Sequence, residues 1–554
     1  NMTAVGSCAL FTNSTGTGST AVGYFANKLN TTGTNNTSVG REALEANTTG
    51  ASNTAVGYQS LTANTTGYEN IGIGRCALVK NTEGFQNTSL GSLSLLCNLT
   101  GDCNVAVGHT ALQNNTANNN TAVGNSSLRA NTSGTCNTAV GFLALKSNTT
   151  ATSNTAMGMC SLFTNTTGCK NSSTGALSML GNTEGCQNSA FGFQAMKCNT
   201  TGDNNTGIGQ NALFGNTTAN SNTAVGRAAL QNSITGGNNT AVGCGASTNA
   251  TSADGNTAIG VQALRDNETG DNNVAIGLNA LLENTTQRNT AVGMSAAICN
   301  TTGQQNVAIG YFSLDANTTG GCNVAIAGGM GNNTTGSDNV GIGSGALGNN
   351  QTCSNNVAVG HSAAQETSSA HGITAIGALA LCKNTSGDNN TAVGFCSLVC
   401  NTSGFSNVAV GVCALLNNST GQENTAVGFK AGIATTTGCG ITAVGMCALH
   451  NHTEGGDNNA VGMCSQFSTT TGAGNNSMGH KSMENNTTGN SNVAIGEQAL
   501  RNNTTACDNT AVGKEALCGN TTGTNNTATG FKALKANTTG GQNTAVGCGA
   551  AFAN

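Results

Sequence analysis

Small, aliphatic and turn-forming residues recur along this chain with one fixed period. Aligned on the glycine that closes Asn-Thr-Ala-Val-Gly, units end at Gly6, Gly23, Gly40, Gly57, Gly74, Gly91 and Gly108, each 17 residues after the last, and the series runs on to Gly547. About 33 such units follow one another without a linker, the signature of a solenoid. Three units are one residue short, ending at Gly124, Gly293 and Gly343, and one closing glycine is replaced by Ala327. The unit Asn53 to Glu69 shows the parts: Asn53 at position one, small Ala55 at three, aliphatic Val56 at four, and Gly57 at five. Small Ser60 follows at eight, Leu61 at nine, and the turn Asn64-Thr-Thr-Gly67 at twelve to fifteen.

A helix would place apolar residues three and four apart over ten or more positions. Glycine every few residues also opposes a helix, by roughly 1 kcal/mol each. The unit instead reads as two short strand-like pieces, each followed by turn residues. The pattern predicts an all-β fold: a parallel β-solenoid or β-roll of about 33 coils with a 17-residue repeat, one continuous domain over residues 1–554. Coils stacked at about 4.8 Å would make a rod of roughly 160 Å. Either Val56 and Leu61 fill the inside and small residues face out, or the small residues line a very thin roll. Both arrangements leave two faces apolar or small, and a flat second face points to packing against another copy. Stacked asparagines at position one would exchange amide hydrogen bonds along the rod, and Gly57 and Gly67 would permit tight corners.

Composition narrows the function classes. With 79 Gly, no Pro, no Trp and 3% aromatics, the chain cannot build a core around large side chains. Its 7% charged residues compare with about 25% in soluble domains. The strict period argues against the disorder that such a composition can also mean. The net charge is −5 with no Lys/Arg run, which speaks against nucleic acid as a partner. No apolar run approaches the about 18 residues of a membrane span, and the opening residues, already inside a repeat, do not read as a signal peptide. Asn1 and Asn554 both fall within a unit, which favours end-to-end stacking or a piece of a longer product.

Asn104-Val-Ala-Val-Gly108, Asn273-Val-Ala-Ile-Gly277, Asn306-Val-Ala-Ile-Gly310 and Asn492-Val-Ala-Ile-Gly496 resemble the head repeats of trimeric autotransporter adhesins. Related repeats occur in phage and giant-virus fibre proteins. The resemblance implies a left-handed parallel β-roll, three chains side by side, and a role as a stalk or adhesive surface. This chain departs from the adhesin heads by its longer unit, which adds the Asn-Thr-Thr-Gly turn, and it shows no coiled-coil stalk or membrane anchor.

That added turn matches the N-glycosylation pattern. The sites are Asn30, Asn47, Asn64, Asn131, Asn148, Asn165, Asn199, Asn216, Asn284, Asn300, Asn317, Asn384, Asn401, Asn520 and Asn537. All lie at one turn, so glycans would coat one edge; the bland reading is that Asn, Thr and Gly are turn residues. Of the 23 cysteines, Cys169 and Cys186, Cys396 and Cys413, and Cys447 and Cys464 stand one unit apart. Stacking would bring their Cα atoms within disulfide range, so three staples between coils are expected, in an oxidising, extracellular setting. Cys382 and Cys400 form a less regular pair. No Cys or His set has zinc spacing, and no metal or cofactor is expected. His109, His361, His371, His450, His452 and His480 share no position with a carboxylate pair, so the chain does not read as an enzyme. Asp102, Asp203, Asp271 and Asp388 read as turn caps rather than Ca²⁺ ligands, because calcium solenoids need an acid in nearly every unit. Position six carries Tyr24, Tyr58, Phe142, Phe193, Tyr311, Phe395, Phe429 and Phe531, with Arg41, Arg75 and Arg227: a shield for the coil edge, or a stripe that grips a neighbouring chain or a carbohydrate.

The sequence thus reads as a structural protein of an extracellular filament, stalk or fibre, at a cell or virion surface, glycosylated and self-associating as a trimer or an end-to-end filament. The alternative is an adhesin or viral fibre that binds a cell-surface receptor or glycan through its side face. An ice- or crystal-binding solenoid is disfavoured because the residue two places after the position-two Thr is Val. A polysaccharide-cleaving β-helix is disfavoured by the lack of clustered acids.

Overall fold

A computed structural model of the chain describes residues 1–552. The chain forms two compact units, Asn1–Asn279 and Ala280–Asn554. The first holds strands β1 (Thr3–Val5) to β17 (Val274–Ile276), the second β18 (Thr290–Val292) to β33 (Thr544–Val546). Each strand has three residues, at positions two to four of the repeat. Within each unit every strand pairs in parallel with the same positions of the next coil, as in Thr54↔Ile71, Ala55↔Gly72 and Val56↔Ile73. Each unit is therefore a parallel β-solenoid. The one-residue deletions fall in the turn, so strand register passes through them: Val107 still pairs with Val123, and Ile326 with Ile342. Among the described residues no helix is long and apolar enough to cross a membrane.

The second strand-like piece of each unit is not a strand. Positions seven to eleven are turns that nevertheless bond from coil to coil: Gln59 N–H donates to Arg41 O at 3.0 Å, Leu61 N–H to Ala77 O at 2.9 Å and Ala63 N–H to Val79 O at 3.1 Å. Gln59 and Leu61 have φ of 54° and 50°, and Glu69 at position seventeen has 57°. Three left-handed residues per coil, mostly not glycine, is a conformation that costs about 1–2 kcal/mol at each place. The lateral hydrogen bonds hold it.

This backbone decides what is inside. In a regular strand Ser60 and Leu61 would face opposite ways. The left-handed turn at Leu61 aims both inward, and Ala55, Ser60 and Leu61 are all fully buried. Val56 faces out and is only partly covered. Neither packing expected from the sequence holds: small residues and the position-nine Leu share the interior, and the position-four aliphatic lies outside. Each buried Leu contributes about 1.5–3 kcal/mol. The other half of the interior is polar, with Asn53, Asn64 and Gly67 also buried.

Gly57 has φ of 130°, and a Cβ on it would lie 2.7 Å from Gly74 O of the next coil. Gly57→Ala is expected to cost at least about 3 kcal/mol and to speed hydrogen exchange in the adjoining coils. Ser52, at position seventeen with φ of 57°, tests the opposite sign. Position seventeen is glycine at Gly18, Gly255 and Gly372, and Ser52→Gly should stabilise its coil by about 1 kcal/mol, read as slower exchange of the same amides.

Candidate functional site

The fifteen asparagines of the Asn-Thr-Thr and Asn-Thr-Ser turns do not lie on a surface. Asn30, Asn47, Asn64, Asn131, Asn148, Asn165, Asn199, Asn216, Asn284, Asn300, Asn317, Asn384, Asn401, Asn520 and Asn537 are all buried. Asn64 shows why. Its Nδ2 donates to Asn47 Oδ1 of the coil before and to Gly67 O of its own turn, both at 2.9 Å, while its Oδ1 accepts from Asn81 Nδ2 at 2.8 Å. An N-linked glycan is joined through that same Nδ2, so sugar at these residues and the folded coil exclude each other. The triplet serves the ladder instead. Thr82 O accepts N–H bonds from Thr65, Thr66 and Gly67 and a hydroxyl bond from Thr65 Oγ1 at 3.0 Å. Position one carries a second column: Asn53 Nδ2 donates to Gly67 O at 2.8 Å and its Oδ1 accepts the N–H of Asn70 at 3.0 Å.

All 23 cysteines are free thiols. Cys169 and Cys186 come closest, with Sγ atoms 3.1 Å apart and Cys186 Sγ accepting the Cys169 N–H at 3.0 Å. Cys396 and Cys413, and Cys447 and Cys464, occupy equivalent places one coil apart and are likewise unbonded, as are Cys382 and Cys400. In-register stacking points the Cα–Cβ bonds of neighbours the same way, about 4.8 Å apart, whereas a disulfide needs Cβ atoms that converge to about 3.8 Å. Stacking brings the thiols near without turning them toward each other. Burial raises the thiol pKa of Cys186, Cys299, Cys353, Cys382, Cys396, Cys464 and Cys518, so none of these is an activated thiolate.

The turn acids cap backbone groups. Asp102 accepts the N–H of Phe85 at 3.0 Å, Asp203 that of Cys186 at 2.7 Å, Asp271 that of Asp254 at 2.8 Å and Asp388 that of His371 at 2.8 Å. Each of these four aspartates, at position sixteen, thus serves the coil before it. Among the described residues no group of three or more His, Cys, Asp or Glu is placed to hold a metal ion.

What the fold leaves open is the outward face of the strands. Position four is exposed at Val39, Leu90, Met157, Phe191, Ile208 and Ile259 in the first unit, and at Ile309, Ile376, Met478 and Ile495 in the second. The column at position six runs beside it, with Tyr24, Tyr58, Phe142 and Phe193 in the first unit and Tyr311, Phe395, Phe429 and Phe531 in the second, each at least 41% exposed. Arg41 lies between the Tyr24 and Tyr58 rings, 5.7 and 5.8 Å from their centres. Its guanidinium bonds Glu42 at 3.0 Å, and Gln59 bonds the other oxygen of that carboxylate at 2.7 Å. The Gln59 bond, with Arg41, holds the Glu42 carboxyl below its usual range. A shallow depression lined by Asn459, Val461, Asn476, Met478 and Ile495 opens on the face in the second unit. The aromatic column was visible in the sequence. The position-four column was one of two alternatives in the sequence: with Ala55 inward, strand alternation turns Val56 outward.

Comparison of the sequence with known protein families and with characterised proteins finds no match.

Asn64→Ala would leave Asn47 Oδ1, Asn81 Nδ2 and Gly67 O without this partner, and should cost about 3 kcal/mol or more; hydrogen exchange across Thr48–Thr82 would show it. Mass spectrometry of the native protein is expected to find the fifteen buried asparagines bare. Sugar on them in a folded chain would contradict the ladder.

Proposed function

We propose that this chain is a structural protein of a filament, stalk or fibre, and that it assembles through the outward face of its strands. One observation carries the reading: a column of outward-facing, mostly aliphatic residues on one side of each unit, exposed at Val39, Leu90, Met157 and Ile259 in the first and at Ile309, Ile376 and Ile495 in the second and partly covered between them. Coils stacked at about 4.8 Å with a strand about 10 Å wide present roughly 800 Å² per unit, the area each partner contributes to a standard protein interface. Apolar patches larger than a few hundred Å² mark interaction surfaces. The rest of the unit suits a structural role, since coils are bonded to one another by backbone and, in most of them, by two asparagine columns.

The resemblance to adhesin-head and fibre repeats supports three chains side by side as the assembly, and an extracellular or virion-surface setting. The free thiols give that setting no added support. A second reading has its own observation, the exposed Tyr and Phe column at position six, which suits a surface that grips a glycan or receptor. Under either reading the chain is not an enzyme.

Val39→Glu, Leu90→Glu and Met157→Glu, made together, place three charges on the face of the first unit. Sedimentation should show the parent chain as an oligomer and the variant shifted toward monomer, with unchanged circular dichroism. A parent chain that stays monomeric at all concentrations would remove the self-association reading. Glycan binding retained by the monomeric variant would support the second reading.

A further inference from the structure

The position-twelve column of the second unit is broken at Thr367 for one coil and, further on, for three. It runs through Asn384, Asn401 and Asn418, then Thr435, His452 and Thr469, and resumes with Asn486 and Asn503. On either side each amide donates to the one before: Asn401 to Asn384 at 2.7 Å, Asn418 to Asn401 at 2.9 Å, and Asn503 to Asn486 at 2.9 Å. Across the gap the chain of amides stops. Asn418 Oδ1 is buried with no partner, and Asn486 reaches Thr469 Oγ1 only at 3.5 Å.

His452 fills the middle of the gap and is fully buried. Its Nδ1 lies 3.2 Å from Thr435 Oγ1 and its Nε2 lies 3.2 Å from Asn458 Nδ2. The Asn458 amide cannot turn over, because its Nδ2 donates to Gly472 O at 2.6 Å and its Oδ1 accepts the Asn475 N–H at 2.9 Å. It therefore presents an NH₂ group to the ring. Nε2 must accept, the ring must be neutral, and its one proton sits on Nδ1 and is given to the Thr435 hydroxyl. A second proton on Nε2 would face the Asn458 donor, inside the roll; the Gly455 backbone, which favours the charged ring, offsets burial only in part.

No charge is at hand to compensate. Glu454 and Asp457 of the same coil are exposed on its outer turn. The coil before offers Cys439 and Lys430 on its exterior, and the coil after offers Cys464. Beyond it, Lys481 and Glu484 pair with each other at 3.2 Å. His450 stacks on Phe467, with ring centres 4.7 Å apart, outside the interior.

We propose that the coil around His452 is an acid-labile seam, the place where the second unit opens first as pH falls. The proposal does not depend on how the chain self-associates. Burial lowers the ring's pKa from 6.5 to about 4. A folded-state value below the unfolded one means that the coil's full stability is present above about pH 6.5 and is lost progressively as pH falls to about 4. The span between the two values corresponds to a change on the order of a hundredfold in the opening equilibrium.

Hydrogen exchange of the full chain at pH 7 and pH 4, corrected for intrinsic rates, tests this. The amides of Thr436, Thr453 and their neighbours, which bond across this gap at 2.9 Å, should lose on the order of a hundredfold protection at pH 4. The equivalent amides of Thr48 and Thr65 should keep theirs. His452→Asn restores the residue the column carries elsewhere and should abolish the acid effect. Uniform loss along the chain, or the same local loss in His452→Asn, overturns the proposal. So does a His452 ring signal in the parent chain that titrates near 6.5 while the coil stays protected, a measurement that needs no variant.

Discussion

In-register stacking is the constraint from which the rest follows. Each coil repeats the last at one strand spacing, so every polar group meets its own copy above and below. A side chain that both donates and accepts can satisfy itself without limit along such a column, and asparagine does so at positions one and twelve. That is how a chain with 7% charged residues and 3% aromatics closes an interior. Half of the inside is Ala, Ser and Leu; the other half is amide bonded to amide and to glycine carbonyl. A buried amide without a partner costs about 1–3 kcal/mol, so this half is weakest wherever the column is broken.

The constraint also explains which parts of the fold were legible in the sequence. The period, the strand at positions two to four and the corner at Gly57 follow from spacing and from residues that have one common use. The second half of the coil does not. Leu61 is a poor choice for a left-handed residue, and nothing local announces that it adopts one. Asn64-Thr-Thr-Gly67 reads as a solvent-facing turn because those residues favour such turns. Its placement inside depends on Asn47 and Asn81, one coil away on each side. A signal was present in the repeats themselves: position twelve is Asn in most coils while positions ten, eleven and fourteen vary, which an exposed turn would not require. For the cysteines, the ladder gave the right proximity and the wrong direction.

The same geometry changes which residues face outward. The asparagines that looked decorated are interior, and of the two packings open for position four the outward one holds. Sites of chemistry are correspondingly hard to build on such a scaffold. A cluster of unlike groups needs several coils to depart from the repeat at once, and around Thr435, His452, Gln466 and Thr469 several do. That stretch leaves Asn418 Oδ1 and Gln466 Oε1 without partners, as the shorter breaks after Asn216 and Asn350 leave their Oδ1 atoms. Variation in a ladder protein is thus legible as a map of weak coils.

The central claim is that two asparagine side chains per coil are interior and bonded along the stack. Exchange of side-chain amide protons in chain labelled with ¹⁵N-asparagine tests it most directly. The account predicts that the Nδ2 protons at positions one and twelve exchange as slowly as the strand amides beside them. Exchange of the Asn64 class at the rate of free asparagine, in a chain whose backbone amides remain protected, would contradict it.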